Sequence, residues 1–291
     1  MTAEMSRRDL LGGGAVLAAA TAISAGMHEA QGAPHNPGKF RLGTVTYNLA
    51  KDWDIPTIIQ RCKQAGFEVV ELRTTHAHKV EPNLDANQRA AVRKQFAESG
   101  LILWGLGSVC EFHSPDPQVL RRNIDTCREF VKLAADVGAR GVKVRPNGLP
   151  KEVEEAKTLE QIGKALHECA GFAADAGVQL YLEVHGGGSS HPPRIHTILQ
   201  HADHKNLFVC WNCNDTDLKD GSVKEYFELL RPRMTTVHLH DLCDRKYPYR
   251  ELFGLLKQTG FDGATLAEIP ESTDPERVMS YYRAMWEMLQ A

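Results

Sequence analysis

The most constraining feature of this chain is an eightfold alternation that begins near residue 41. Short runs rich in Val, Leu and Ile alternate with helical patterns, as expected for strands that helices cover. The predicted strands are residues 42–49, 67–73, 101–108, 141–146, 179–185, 207–212, 235–242 and 264–269. The predicted helices are residues 54–65, 85–98, 117–136, 158–175, 193–202, 222–230, 248–259 and 274–289. Alternating strands and helices form a parallel sheet, and eight such units close into a barrel. The sequence therefore predicts an α/β protein with a single (β/α)8 barrel.

Residues at the helix ends support this division. Asp54, Asp85 and Asp274 stand where helices begin, and Asp side chains cap helix N-termini. Five predicted helices end at a glycine just before the next strand, a common helix-stop signal. These glycines are Gly66, Gly100, Gly138, Gly177 and Gly260.

The N-terminus has the pattern of an export signal. Arg7 and Arg8 precede a Gly- and Ala-rich segment, which is the twin-arginine pattern, and the segment is too short to span a bilayer. We predict a twin-arginine signal peptide at residues 1–32, a short linker at residues 33–40 and the barrel at residues 41–291. The mature protein is then expected in the periplasm or another extracytoplasmic space, without membrane attachment.

Charge and cysteine content argue against two classes of function. The net charge of −3 and the pI near 6.5 leave no basic surplus for a phosphate backbone, so we expect no nucleic-acid partner. The seven cysteines are an odd number and lack the spacing of a disulfide framework. Cys210 and Cys213 have the CxxC spacing of a redox motif, but residues three apart on a strand face opposite sides. We therefore expect two separate buried thiols.

Polar residues recur near the C-terminal ends of the predicted strands, where active sites of such barrels lie. The outward faces pack on helices, so polar side chains are expected to point into the mouth of the barrel. Ten such side chains come from six strands: Glu71, Arg73, Lys143, Arg145, Glu183, His185, Asn212, His238, His240 and Glu268. One alternative is a set of inter-strand ion pairs that fills the barrel. Burying clustered carboxylates and imidazoles without a cation is unfavourable, so we favour a catalytic or ligand-binding site.

Four of these residues lie roughly one βα unit apart. Glu183, Asn212, His238 and Glu268 are separated by 29, 26 and 30 residues. Carboxylate, amide and imidazole groups together could bind one divalent ion, such as Mn²⁺, Mg²⁺, Co²⁺ or Zn²⁺. Such an ion polarises sugar carbonyl and hydroxyl oxygens, and a nearby carboxylate can then remove a proton from the adjacent carbon. Return of the proton to the opposite face is an epimerisation, and return to the neighbouring carbon is an aldose–ketose isomerisation.

Short segments on four predicted strands carry a resemblance to a known family. They are GFEVVEL at 66–72, LEVH at 182–185, VHLHD at 237–241 and AEI at 267–269. In this order and spacing, the chain resembles the xylose-isomerase-like TIM-barrel superfamily over residues 41–289. This sugar phosphate isomerase/epimerase group includes ketose 3-epimerases and hydroxypyruvate isomerase.

The resemblance implies a role for each candidate residue. Glu183, Asn212, His238 and Glu268 would ligate the metal, and Glu183 and Glu268 would also be the catalytic acid–base pair. His240 would face the substrate or act as a substitute ligand. The resemblance further implies that Glu71, Lys143, His185 and Arg245 contact sugar oxygens, and we add Arg73 and Arg145 from the strand alternation. The expected partner is a small carbohydrate, and a homo-oligomer is compatible with the sequence.

Strand six departs from the family pattern. Relatives usually carry Asp there, followed three residues later by His, whereas this chain has Asn212 and then Asp215. An amide oxygen can coordinate a hard ion but adds no charge, so metal affinity should fall. Asp215 or Asp217 could compensate from the loop. We expect an exported sugar isomerase or epimerase that keeps its metal. Two alternatives remain open, namely a metal-dependent lyase acting on keto-glycosides and a non-catalytic sugar-binding barrel with a degraded metal site.

Overall fold

Eight parallel strands form a closed barrel in the computed structural model, which describes residues 40–291. Each strand pairs with the next along the chain, and β1 pairs with β8 to close the sheet. The strands are β1 (Arg41–Val45), β2 (Val69–Arg73), β3 (Ile102–Glu111), β4 (Gly141–Arg145), β5 (Gln179–Glu183), β6 (Leu207–Trp211), β7 (Met234–Leu239) and β8 (Ala264–Ala267). The predicted single (β/α)8 barrel is confirmed. The predicted signal peptide and all but the last residue of the predicted linker lie outside the described residues.

A helix follows each strand. The helices are α1 (Ile55–Ala65), α2 (Ala86–Ser99), α3 (Pro117–Val137), α4 (Glu155–Asp175), α5 (Pro192–Ala202), α6 (Lys224–Leu230), α7 (Tyr249–Gln258) and α8 (Pro275–Gln290). Short 3-10 helices at Asp215–Asp217 and Arg231–Arg233 flank α6. Across residues 40–291, no helix has both the length and the apolar character of a membrane span.

Helix ends follow the capping residues of the sequence. The side chains of Asp54, Asp85 and Asp274 each accept a hydrogen bond from a backbone N–H in the first turn of a helix. Asp116, which the sequence analysis does not list, does the same for α3. The five predicted stop glycines all have positive φ angles, between 66° and 79°. The turns that return the chain to the next strand are thus encoded locally.

Several strands end earlier than predicted at the mouth of the barrel. Strand β5 ends at Glu183, β6 at Trp211, β7 at Leu239 and β8 at Ala267. As a result, Asn212 and three other candidate residues lie just beyond the paired strands rather than within them. Strand β3 is the exception, because its pairing with β4 shifts register after Gly107 and continues to Glu111.

Two hydrophobic layers support the mouth. The interior of the barrel is filled by a small cluster of residues, namely Val45, Val69, Trp104, Tyr181, Cys210, Ala264 and Leu266. There the indole of Trp104 donates a hydrogen bond to Thr236 Oγ1, 2.8 Å away. A much larger cluster lies between the strands and the helices. The barrel is therefore a packed scaffold, and its polar side chains lie above the filled interior.

All seven cysteines are free thiols. Six of them are buried and only Cys243 is exposed. Cys210 lies in the interior of the barrel, and Cys213 lies just beyond β6 in the outer hydrophobic layer. The CxxC spacing therefore does not form a disulfide.

Candidate active site at the mouth of the barrel

Four buried or largely buried side chains meet at the mouth and form what we call the carboxylate–imidazole cluster: Glu71, Glu183, His238 and Glu268. His238 lies at its centre. Its Nδ1 is 3.3 Å from Glu183 Oε1 and 3.4 Å from Glu268 Oε2, and its Nε2 is 3.3 Å from Glu71 Oε2. Ligand atoms of Glu183, His238 and Glu268 all lie within 4.8 Å of one another. One cation could contact all three.

Strand register brings these residues together. Glu183 is the last residue of β5 and lies opposite Cys210 on β6, while His238 on β7 lies opposite Leu266 on β8. Just past β8, the backbone N–H of Glu268 donates to Leu239 O at 2.8 Å, which continues the strand direction by one residue. The cluster is thus built on paired backbone rather than on free loops.

Lys143 from β4 balances part of the negative charge. Its Nζ lies 2.6 Å from Glu183 Oε2, and both side chains are buried. Burial alone would raise the pKa of Glu183, but Lys143 and His238 outweigh it and lower that pKa to about 2. Burial would likewise lower the pKa of Lys143, yet Glu183, Glu71 and Glu268 raise it. Glu183 therefore stays ionised, with Oε2 bound to Lys143 and Oε1 directed at His238 Nδ1.

The same balance governs the rest of the cluster. Burial opposes ionisation of Glu268, but His238, His240 and Lys143 hold the pKa of Glu268 well below its ordinary value. Burial also opposes protonation of His238, yet Cys210, Glu71 and Glu268 raise the pKa of His238 well above its ordinary value. The side chains are arranged around a positive charge, which a bound cation would supply in place of the proton on His238.

Asn212 has the environment expected of a fourth ligand. Its side chain is buried, and its Oδ1 accepts no hydrogen bond from any described residue. A buried amide oxygen without a donor is unfavourable, and a cation would satisfy it. The loop carboxylates do not join the cluster: Asp215 is exposed, and Asp217 Oδ2 accepts hydrogen bonds from Asn214 N and the Tyr247 hydroxyl. The residues present therefore fit a divalent ion, with Asn212 as the neutral member of the set.

A second polar group lines the mouth at the ends of β3, β4 and β5. The Arg145 guanidinium donates to Glu111, and His185 Nδ1 lies 2.7 Å from Asn147 Oδ1. Burial lowers the pKa of His185, in spite of the opposing effect of Glu183. On the other side of the cluster, His240 is 42% exposed and its Nε2 lies 3.7 Å from Glu268 Oε2. His240 is thus close enough to contact a substrate held at Glu268.

Two predicted substrate residues lie elsewhere. Arg73 turns toward the rim, where its guanidinium stands 5.1 Å from the centre of the Tyr47 ring and 3.4 Å from His76 Nε2. Arg245 is exposed and lines a separate cavity of about 360 Å³ with residues of α8 such as Met285. Arg245 has no contact with the cluster among the described residues, so its expected role as a sugar contact stays a prediction that the geometry does not favour.

Sequence reasoning missed Glu111 and Asn147. Glu111 fell beyond the predicted end of the third strand, because the glycines of β3 obscured its continuation. Asn147 stands before Gly148 and looks like an ordinary turn residue. The available signal for Asn147 was its position as a polar residue two positions beyond the end of β4. For Glu111, the signal was a run of apolar and small residues through Cys110, which indicates that the strand continues.

The fold is similar to that of several solved structures. The 3-keto-D-glucoside 4-epimerase YcjR from E. coli has 16% identity and a TM-score of 0.71, with coverage of 87% of this chain and 99% of that chain. D-psicose 3-epimerase from Clostridium cellulolyticum H10, solved with D-tagatose, has 14% identity and a TM-score of 0.72, covering 86% and 98%. The IOLI protein, solved with a zinc atom, has 14% identity and a TM-score of 0.70, covering 86% and 98%. At these identities the likeness concerns the fold.

Comparison of the sequence itself adds the export route and the family. No curated protein matches the chain. Residues 4–24 match the model of a twin-arginine translocation signal, so the protein is exported by that route to the periplasm or another extracytoplasmic space, as predicted. Residues 59–286 match the model of the xylose isomerase-like TIM barrel, which is well over half of the chain. The protein belongs to the xylose isomerase-like TIM-barrel family.

Proposed function

We propose that this protein is an exported, metal-dependent isomerase or epimerase of a small carbohydrate. The observation that carries the proposal is the meeting of ligand atoms of Glu183, His238 and Glu268 within 4.8 Å. The unpartnered Oδ1 of the buried Asn212, just beyond β6, adds a further candidate ligand atom. The names of two of these neighbours, 3-keto-D-glucoside 4-epimerase and D-psicose 3-epimerase, support a carbohydrate substrate.

In this proposal Glu183, Asn212, His238 and Glu268 hold the divalent ion. When bound, the ion polarises the carbonyl and adjacent hydroxyl of the sugar and so makes the neighbouring C–H more acidic. Glu183 presents Oε1 to this region because Lys143 occupies Oε2. The low pKa values of Glu183 and Glu268 keep both carboxylates ionised at neutral pH.

The two carboxylates then act as the acid–base pair. One carboxylate accepts the proton from the carbon next to the carbonyl, and the other, which first takes up a proton from solvent, delivers that proton to the opposite face. The first carboxylate then releases its proton to solvent. This outcome is an epimerisation. Delivery of the same proton to the adjacent carbon is an isomerisation. Lys143 stabilises the negative charge that Glu183 carries while it is deprotonated.

A lyase is the second candidate. The same α-proton removal, followed by cleavage of the bond from the β-carbon to a glycosidic oxygen, would release an alcohol and leave an unsaturated keto-sugar. The observation that favours it is the export signal, because glycosides are available outside the cytoplasm, together with a neighbour that is named for a 3-keto-D-glucoside.

Metal analysis and solvent isotope exchange test the proposal. We expect the purified mature protein to bind about one equivalent of divalent ion, consistent with one cluster. It should incorporate deuterium from D2O into one C–H of a substrate drawn from D-psicose, D-tagatose, L-ribulose and 3-keto-D-glucoside. Glu268→Gln should abolish incorporation, while Glu98→Gln at the exposed end of α2 should leave it unchanged. Product analysis separates epimerase, isomerase and lyase. A protein that binds sugar equally well in chelator and exchanges no deuterium would instead be a non-catalytic sugar-binding barrel.

A further inference from the structure

Two loops that follow β4 and β5 meet through a single hydrogen bond. Asn147 lies two residues beyond β4, and His185 lies two residues beyond Glu183, the last residue of β5. His185 Nδ1 and Asn147 Oδ1 are 2.7 Å apart. An amide oxygen only accepts hydrogen bonds, so the imidazole must donate from Nδ1. A neutral imidazole carries one N–H, and Nε2 of His185 therefore retains a free lone pair.

Packing holds the backbone of Asn147 in place independently of this bond. Asn147 has a φ angle of 63°, in the left-handed region that non-glycine residues rarely adopt. Gly186, which follows His185, packs directly against it, since a Cβ at Gly186 would lie 2.5 Å from Asn147 Cα. The two loops interlock at the place where Asn147 meets His185. Backbone conformations of this kind persist where the surrounding structure holds them, often at functional sites.

His185 stands two residues beyond Glu183, one of the two carboxylates proposed to transfer the proton. His185 is half-buried, and the charged groups that act on it are Glu183, Arg145, Lys143 and Glu268. At a pH above about 6.5, the ordinary pKa of histidine, an imidazole is predominantly neutral. A neutral imidazole at this position can either accept or donate a hydrogen bond toward the site, and the tautomer decides which.

We propose that Asn147 is a positioning residue that fixes His185 as the Nδ1–H tautomer, so that Nε2 accepts a hydrogen bond from a substrate hydroxyl. The role of the hydroxyl rests on the proposed function, whereas the tautomer does not. Nε2 then selects sugars that present a hydroxyl donor beside the reacting carbon. It disfavours an analogue with a hydrogen at that position, because that analogue lacks the hydrogen-bond donor. It also disfavours an analogue with a carbonyl oxygen there, because the oxygen and the Nε2 lone pair repel each other.

The tautomer can be measured directly without substrate. Two-bond 15N–1H correlation spectra of the 15N-histidine-labelled protein distinguish Nδ1–H from Nε2–H, and the spectrum of His185→Asn identifies the His185 signals. We expect Nδ1–H in the wild type and in Asn147→Asp, which keeps an acceptor and tolerates the left-handed backbone. We expect a mixture or the Nε2–H form in Asn147→Gly, which accommodates the same φ angle but lacks the acceptor. An Nε2–H tautomer in the wild type would overturn the assignment.

Substrate recognition supplies the second measurement. On the sugar that supports deuterium incorporation, Asn147→Gly should lower kcat/KM about three- to tenfold, the usual effect of one lost neutral hydrogen bond. Asn147→Asp should remain close to the wild type. The deoxy analogue that lacks the recognised hydroxyl should be bound equally by wild type and Asn147→Gly, and both should contain the same amount of metal. If Asn147→Gly weakened the binding of every sugar equally, with or without the hydroxyl, a role in specificity would be refuted. Failure of the wild type to bind any sugar would refute the proposed function while leaving the tautomer measurement valid.

Discussion

At the scale of single residues, the mouth of the barrel is organised by compensation of negative charge. Glu71, Glu183 and Glu268 surround His238, and Lys143 binds the one oxygen of Glu183 that His238 does not approach. Asn212 adds an oxygen without adding charge. Two substitutions therefore test the cluster from opposite directions, one by adding a negative ligand and the other by removing the positive neighbour.

Asn212→Asp should tighten metal binding. A carboxylate in place of the amide supplies one more negative charge to the ion, and we expect an affinity gain of about tenfold. Isothermal titration with Mn²⁺ and with Zn²⁺ measures it. Asn87→Asp, on the exposed surface of α2, makes the same change in net charge away from the site and should have no effect. Equal affinities for wild type and Asn212→Asp would mean that the residue after β6 is not a ligand.

Lys143→Met should destabilise the metal-free protein more than the metal-bound protein. Without a cation, the substitution leaves Glu183 buried beside two other carboxylates, and removal of one partner of a buried pair typically costs about 3–5 kcal/mol. A bound divalent ion compensates Glu183 in its place. Chemical denaturation in chelator and in Mn²⁺ measures both values. Lys94→Met removes an exposed lysine and should change the free energy of unfolding by less than about 0.5 kcal/mol. An equal loss with and without metal would contradict charge compensation as the role of Lys143.

At the scale of elements, the strand ends determine how far the site could be predicted. Glu183, His238 and Glu268 follow from the alternation of side chains along parallel strands, whose C-terminal ends must converge. The alternation of side chains does not predict that Lys143 pairs with Glu183. That pairing depends on which side chains of neighbouring strands come into contact above the barrel interior. Arg245 was assigned through family resemblance alone, and no register rule fixes a residue in the β7–α7 loop. The role proposed for Asn147 depends on its contact with His185 and on backbone packing against Gly186, and a strand pattern indicates neither.

Strand β3 offers a matched pair of glycines on one face. A Cβ at Gly107 would lie 2.7 Å from Glu71 Oε1, whereas a Cβ at Gly105 would meet its nearest neighbour at 3.6 Å. Gly107→Ala should therefore displace Glu71 from His238 and lower the free energy of unfolding by about 1–3 kcal/mol. It should also reduce deuterium incorporation into the sugar substrate. Gly105→Ala should resemble the wild type in both. Denaturation and exchange assays on the two variants provide the test, and similar behaviour would show that the space beside Glu71 is not limiting.

At the scale of the whole molecule, stability and site geometry are linked through the loop after β6. Asp217 is fully buried, its Oδ2 accepts from Asn214 N and Tyr247, and Tyr247 in turn accepts from the Trp211 indole. This network joins the exit of β6, which carries Asn212, to the loop after β7. Neither the export signal nor the strand pattern predicts it, since a loop aspartate is usually solvated. The network makes the stability of the barrel dependent on one proton.

Asp217 should make the protein less stable as pH rises. Burial raises the pKa of Asp217 from 3.8 to about 8, although Asn214 and Tyr247 lower it. Between these values the folded state holds a proton that the unfolded state releases. The contribution of Asp217 is therefore complete below about pH 4 and is lost progressively up to about pH 8, at about 1.4 kcal/mol for each pH unit.

Asp217→Asn should remove this dependence, because asparagine can accept the same two hydrogen bonds without a titrating group. Denaturant unfolding in chelator at about pH 5, 6 and 7 measures the slope. In this range Asp217 is ionised in the unfolded state and protonated in the folded state. We expect the stability of Asp217→Asn relative to wild type to rise by about 2–3 kcal/mol from pH 5 to pH 7. Asp175→Asn, an exposed residue at the C-terminal end of α4, should leave the wild-type slope unchanged. Parallel pH profiles for Asp217→Asn and wild type would mean that Asp217 is ionised in the folded barrel, with its charge balanced by the hydrogen bonds from Asn214 and Tyr247.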